Sequence, residues 1–111
     1  MYKITCAVKT PNGSAAIIIN QETKEKLMTV YGRIIASPGV FGCIKNFGIV
    51  MLSPNNTLHI FTKTNVVITK LHEIYENKIP KIVDDNFIFT FEDEKEIIYN
   101  IRDIYKKRTS E

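Results

Sequence analysis

The chain has 111 residues, of which 44% are apolar and 24% charged, with a formal net charge of +3. This length suits one domain burying roughly two-thirds of its unfolded surface, and the composition excludes both a disordered chain and a fibrous repeat. No apolar run reaches the roughly 18 residues of a membrane helix, and the basic residues are scattered among acids, which argues against a dedicated phosphate-backbone reader and fits simple solubility.

The start, "MYKITCAV", lacks the apolar core of a signal peptide, so a soluble, cytoplasmic protein is expected. Cys6 and Cys43 stand apart with no C-x-x-C, and the expectation is two buried thiols rather than a zinc site or a disulfide. Isoleucine, lysine and asparagine are abundant, as in proteins from AT-rich genomes, viral or mobile ones among them.

Residues Tyr2 to Lys9 alternate, with Tyr2, Ile4, Cys6 and Val8 on one face and Lys3, Thr5 and Lys9 on the other, which predicts a half-buried strand. Asn12-Gly13 is a strong hairpin signal, because both residues accept the positive φ of a type I′ turn. "SAAIIIN" then returns as a second strand, and its unbroken apolar run predicts burial on both faces.

Residues 21–36 admit two readings. A helix from Gln21 would have Asn20 as its N-cap, Leu27, Val30 or Tyr31, and Ile34 on one stripe, and Gly32 near its end. Alternatively, "QETKEK" is a polar turn and "LMTVYGRIIA" a third strand, rich in β-branched and aromatic residues.

The glycines and Pro38 of "SPGVFG" break either period and make it a connecting loop. Beyond it, "CIKNFGIVMLS", "TLHIFTK" and "NVVITK" read as three short strands of an antiparallel meander, with Pro54-Asn55-Asn56 as turn chemistry. Leu58, Ile60, Val66 and Ile68 are its expected core residues, while His59 and Phe61 point to the opposite face. "LHEIYENKIPKIVDDN" is less regular, Ile79-Pro80 implying an extended path, and "FIFTF" is a strand.

From Asp93 the pattern changes to a helical one. Ile97, Ile98, Ile101, Ile104 and Tyr105 form one apolar stripe, Asp93 and Glu96 stand at capping-box spacing, and Lys106, Lys107 and Arg108 suit the negative end of the macrodipole.

The whole predicts a single α+β, sheet-rich domain over 1–111: a six- or seven-stranded curved antiparallel sheet with one C-terminal amphipathic helix. Seven strands followed by one helix resembles the element order of pleckstrin-homology-like domains. The resemblance lies in element count, and the basic cluster those domains place around the first hairpin for inositol phosphates is missing, since "KTPNGS" offers Lys9 only. TATA-binding-protein-like and profilin-like sheets are the alternatives that accommodate a helix at 21–36.

No residue pattern forms a catalytic constellation. Cys6 and Cys43 lie in apolar strand contexts that keep a thiol inert, and two histidines, His59 and His72, are too few for a zinc catalyst. Glu92, Asp93, Glu94 and Glu96 read as the first turn of the helix, and Asp84 and Asp85 as a turn.

What remains is a basic and aromatic set. Lys95, Tyr99, Arg102 and Lys106 recur at helical spacing, and Lys63, Lys70, Lys78 and Lys81 come from the sheet. The expectation is a non-enzymatic interaction module without cofactor, metal or membrane contact, whose sheet face or edge binds a protein partner or its own copy. The alternative is capture of a nucleotide-like molecule, another phosphate-bearing ligand or nucleic acid through Arg33, His59, Phe61, Lys63, Lys70, Tyr99, Arg102 and Lys106.

Overall fold

The run Gly48–Leu52 is apolar at every position after its glycine, and a strand without alternation has no face to give to water. In the computed structural model, which describes residues 1–71 and 79–110, this run lies in the middle of three layers. A central antiparallel sheet runs in the order β5 (Val40–Ile44), β6 (Gly48–Leu52), β7 (Thr57–Thr62) and β8 (Val66–Lys70). The first sheet, β1 (Tyr2–Thr10), β2 (Gly13–Asn20), β3 (Lys26–Val30) and β4 (Arg33–Ile34), packs on one of its faces. On the other lie a third sheet and α1 (Ile101–Thr109); that sheet has β10 (Asn86–Thr90) between β11 (Glu96–Asn100) and β9 (Lys81–Val83).

Alternation along the central strands therefore feeds two cores. Ile44, Val50, Leu52, Leu58, Ile60 and Val67 pack with Phe87 and Phe89 of β10 and with Ile101 of α1. Ile49, Met51 and Phe61 point the other way, against Ala15, Ile17 and Met28 of the first sheet. The chain is thus sheet-rich α+β with a C-terminal helix, but its strands form three sheets rather than one curved six- or seven-stranded sheet, and the pleckstrin-homology-like order of seven strands and a helix does not hold.

Several local expectations change with it. Residues 21–36 contain no helix. Asn20 Oδ1 accepts from Glu22 N and Thr23 N as an N-cap would, yet the chain makes a single turn, with Lys24 at φ +65°, and enters β3. "LMTVYGRIIA" is itself a hairpin, turning at Tyr31-Gly32, where both φ values are positive as a type I′ turn requires. "CIKNFGIVMLS" likewise folds back at Lys45-Asn46-Phe47 to give β5 and β6, making the central meander four strands. In the first hairpin Thr10 pairs with Gly13, so the turn residues are Pro11 and Asn12 and only Gly13 takes a positive φ. β2 buries Ala15 and Ile17 but leaves Ala16 and Ile18 half-buried, so it is fully covered on one face only.

The predicted helix start moves by eight residues. Glu96–Asn100 is a strand paired with β10, and α1 begins at Ile101 behind Asn100, whose side chain accepts from Asp103 N at 2.9 Å. Asp93 and Glu94 form the β10–β11 turn instead of a helix cap, with Glu94 at φ +64°. Asp84-Asp85 is a turn, as expected, and it also anchors the helix: Asp85 O accepts from Ile101 N at 2.8 Å. In β8 the buried positions are Val67 and Thr69; Ile68, expected in the core, is 62% exposed, and Val66 is half-buried.

Candidate interaction surface

β1 carries an irregularity that decides which of its residues meet the core. Ile4 pairs with Ile18 and Cys6 pairs with Ile17, leaving Thr5 as the extra residue of a β-bulge, its hydroxyl donating to Ile17 O at 3.1 Å. A bulge shifts side-chain parity by one. Cys6 and Val8 consequently face the central sheet, whereas Tyr2 and Ile4, expected on the same buried face, are 51% and 62% exposed on the outer one.

The register then assembles an apolar outer face on the first sheet. Ile4, Ile18 and Leu27 lie abreast on β1, β2 and β3, and Ala7, Ala16, Thr29 and Ile34 form the next row across all four strands. Ile34 is 58% exposed, and neither row contains a charged side chain. The inner partners of these residues, Ala15, Ile17 and Met28, belong to the core. Contiguous exposed apolar patches are candidates for interaction sites, above all where polar residues rim them.

His59 lies on the central sheet, opposite in direction to Leu58 and Ile60 as its strand position requires. Its face is not open surface, however. Phe61, two residues on, is buried against the first sheet, and the two rings stack at 6.1 Å with 14° between planes. Tyr31 meets Phe61 edge-on at 6.4 Å. Burial pushes the His59 pKa below its ordinary value, partly opposed by a backbone hydrogen bond to Thr57, and Nδ1 is buried without a hydrogen-bond partner. A neutral ring with one unsatisfied nitrogen is poorly placed to serve as a base toward solvent.

The remaining sequence candidates do not converge. Arg33 sits on β4 at the edge of the first sheet, Lys63 in the β7–β8 turn, Lys70 at the end of β8 and Lys106 in the last turn of α1. Tyr99 is in β11, its half-buried ring edge-on to Phe89 at 5.9 Å, and Lys95 belongs to the preceding turn, so the expected helical row of Lys95, Tyr99, Arg102 and Lys106 does not exist. Arg102 is already engaged: its Nε donates to Asp85 at 2.8 Å, Nη2 to Lys45 O at 3.0 Å, and its guanidinium lies 4.8 Å over the Phe47 ring. His72 and Lys78 fall outside the described residues.

Cys6 and Cys43 are not free thiols. They form a disulfide between β1 and β5, with Cα atoms 6.4 Å apart, and Cys43 is exposed. Sequence reasoning missed it because a pair of cysteines 37 residues apart matches no motif, and because the expectation of a cytoplasmic chain argued for reduced thiols. Among the described residues no cluster of His, Cys, Asp and Glu forms a metal site, and no helix is long and apolar enough to cross a membrane. Compared with known proteins, the chain matches no family model, no curated protein and no solved structure.

Proposed function

We propose that this protein is a binding module whose outer first-sheet face packs against the same face of a second copy. The observation that carries this reading is the pair of uncharged rows, Ile4, Ile18 and Leu27 beside Ala7, Ala16, Thr29 and Ile34, with Ile4 and Ile34 each more than half exposed.

A face is a better candidate than an edge here. Long flat edges recruit strands, but β1 has a bulge and a lysine at each side of it, and β4 is only two residues long. A second copy is the fitting occupant because an uncharged sheet face meets no like-charge repulsion from its own copy, and a two-fold axis would bring identical rows together. Four strands at about 4.8 Å spacing and about five residues at 3.3 Å rise cover roughly 15 by 17 Å, below the usual 800 Å² per partner, so the association is weak and concentration-dependent.

Sedimentation equilibrium from about 10 μM to 1 mM tests it. The wild-type chain is expected to associate reversibly, and Ile4→Lys and Ile34→Lys each to shift the equilibrium to monomer while leaving the melting temperature within a few degrees. A wild-type chain that stays monomeric throughout, or variants that associate as well as it does, would overturn the reading.

A further inference from the structure

The disulfide joins the first sheet to the central sheet, and its two sulfurs occupy different surroundings. Cys6 is half-buried and packs at the margin of the inner core, whereas Cys43, on the edge strand β5, is exposed. Two open clefts flank it. One, of about 620 Å³, is lined by Cys43 with Lys45, Asp84, Asp85 and Arg102, and Cys6 is not among its lining residues. The other, of about 440 Å³, is lined by both cysteines together with Lys63.

Thiol–disulfide exchange requires in-line attack: the incoming thiolate approaches one sulfur from the side opposite the sulfur that leaves. Cys43 is the exposed member of the pair, so it is the one an incoming thiolate reaches from solvent. The larger cleft's two cations, Lys45 and Arg102, are matched by Asp84 and Asp85, so access rather than charge selects the attacking thiol there. The departing Cys6 lines the second cleft together with Lys63, whose positive charge there favours a thiolate.

We propose that Cys6–Cys43 is an exchangeable redox latch, opened at Cys43 by a small thiol. The thiolate forms a bond to Cys43 Sγ, the S–S bond breaks, and Cys6 leaves as a thiolate that takes a proton from water. A second thiol molecule then attacks the mixed disulfide, releasing its own disulfide and the Cys43 thiolate, so the protein gains two electrons and two protons while two thiols are oxidised to one disulfide. Opening removes the disulfide tie between the two sheets, whose packing then rests on the inner apolar cluster. Exposed disulfides are the labile ones, and the exposed sulfur is the one attacked.

The test uses the folded, oxidised chain and reduced glutathione, with acid quenching and intact-mass and peptide mass spectrometry. A single glutathione adduct on Cys43 with Cys6 free is expected first, then the dithiol, without denaturant; dialysis in air should restore the disulfide. Lys63→Gln should slow opening by about threefold, the effect of roughly one pKa unit on the leaving thiol. In Cys6→Ser, Cys43 should accept glutathione from its disulfide form.

Adducts mapping to Cys6, or a disulfide that resists glutathione until the chain is unfolded, would overturn the proposal. So would two free thiols in air-purified, folded protein. None of these outcomes depends on self-association, which is read separately by sedimentation.

Discussion

His59 is a half-buried residue of β7, on the side of the central sheet that faces the first sheet. A histidine on a strand invites a functional reading, but stacked on Phe61 with Nδ1 unpartnered it is held neutral by burial. Its folded-state pKa lies below the ordinary 6.5, so below that pH the unfolded chain binds more protons than the folded one. Stability from this residue is therefore complete above about pH 6.5 and declines as pH falls below it. His59→Phe keeps the stack and removes the titration; thermal melts from pH 8 to pH 5 should show a smaller acid loss for the variant than for wild type. Equal acid slopes would mean that His59 is not desolvated. Tyr105 makes the complementary case. Burial would raise its phenol, but hydrogen bonds with Thr62, Thr64 and Asn65 at 3.0–3.1 Å together hold it below its ordinary value. Tyr105→Phe should cost about 1–2 kcal/mol in urea denaturation, since one hydroxyl ties the helix to the β7–β8 turn.

At the scale of elements, legibility followed the strength of the local signal. The central meander and the strand Asn86–Thr90 were readable because β-branched and aromatic runs between Pro, Asn and Gly turns admit few other structures. The C-terminal segment was half readable. Ile97 and Ile101 fit a helical stripe, but with Tyr99 between them they fit a strand period of two as well, and pairing with β10 decides for the strand up to Asn100. The basic last turn of α1 was read correctly because the dipole argument is independent of where a helix begins. Ile101 sits at this junction, the first helical residue and 0% exposed between β10 and the central sheet. Ile101→Ala should cost about 2–5 kcal/mol by the size of the cavity it opens. Ile101→Asp should abolish the cooperative transition, because it buries an unpaired charge; a variant melting like wild type would show that α1 is not docked.

At the scale of the molecule, the layering was the part hidden from the sequence. One sheet or three cannot be told from strand count, since the cue is which strands are apolar on both faces, and short runs such as Gly48–Leu52 show this only after their neighbours are placed. The bulge at Thr5 compounds the difficulty, because a single unpaired residue turns Tyr2 and Ile4 to the outer face while Cys6 and Val8 stay inward. The Cys6–Cys43 disulfide closes a loop with its ends 37 positions apart. Chain-entropy reasoning assigns such a loop roughly 4 kcal/mol of stabilisation, a large share of the 5–15 kcal/mol that holds a domain together. Cys43→Ser should therefore lower the urea midpoint clearly, and Cys6→Ser should lower it by a similar amount. The double variant should be no worse than about the larger single loss, since both substitutions remove the same bond and their effects cannot add. Fully additive losses would mean that each cysteine stabilises its own sheet by packing, and that the tie between first and central sheets resides in Ile17, Met28, Ile49 and Phe61 instead.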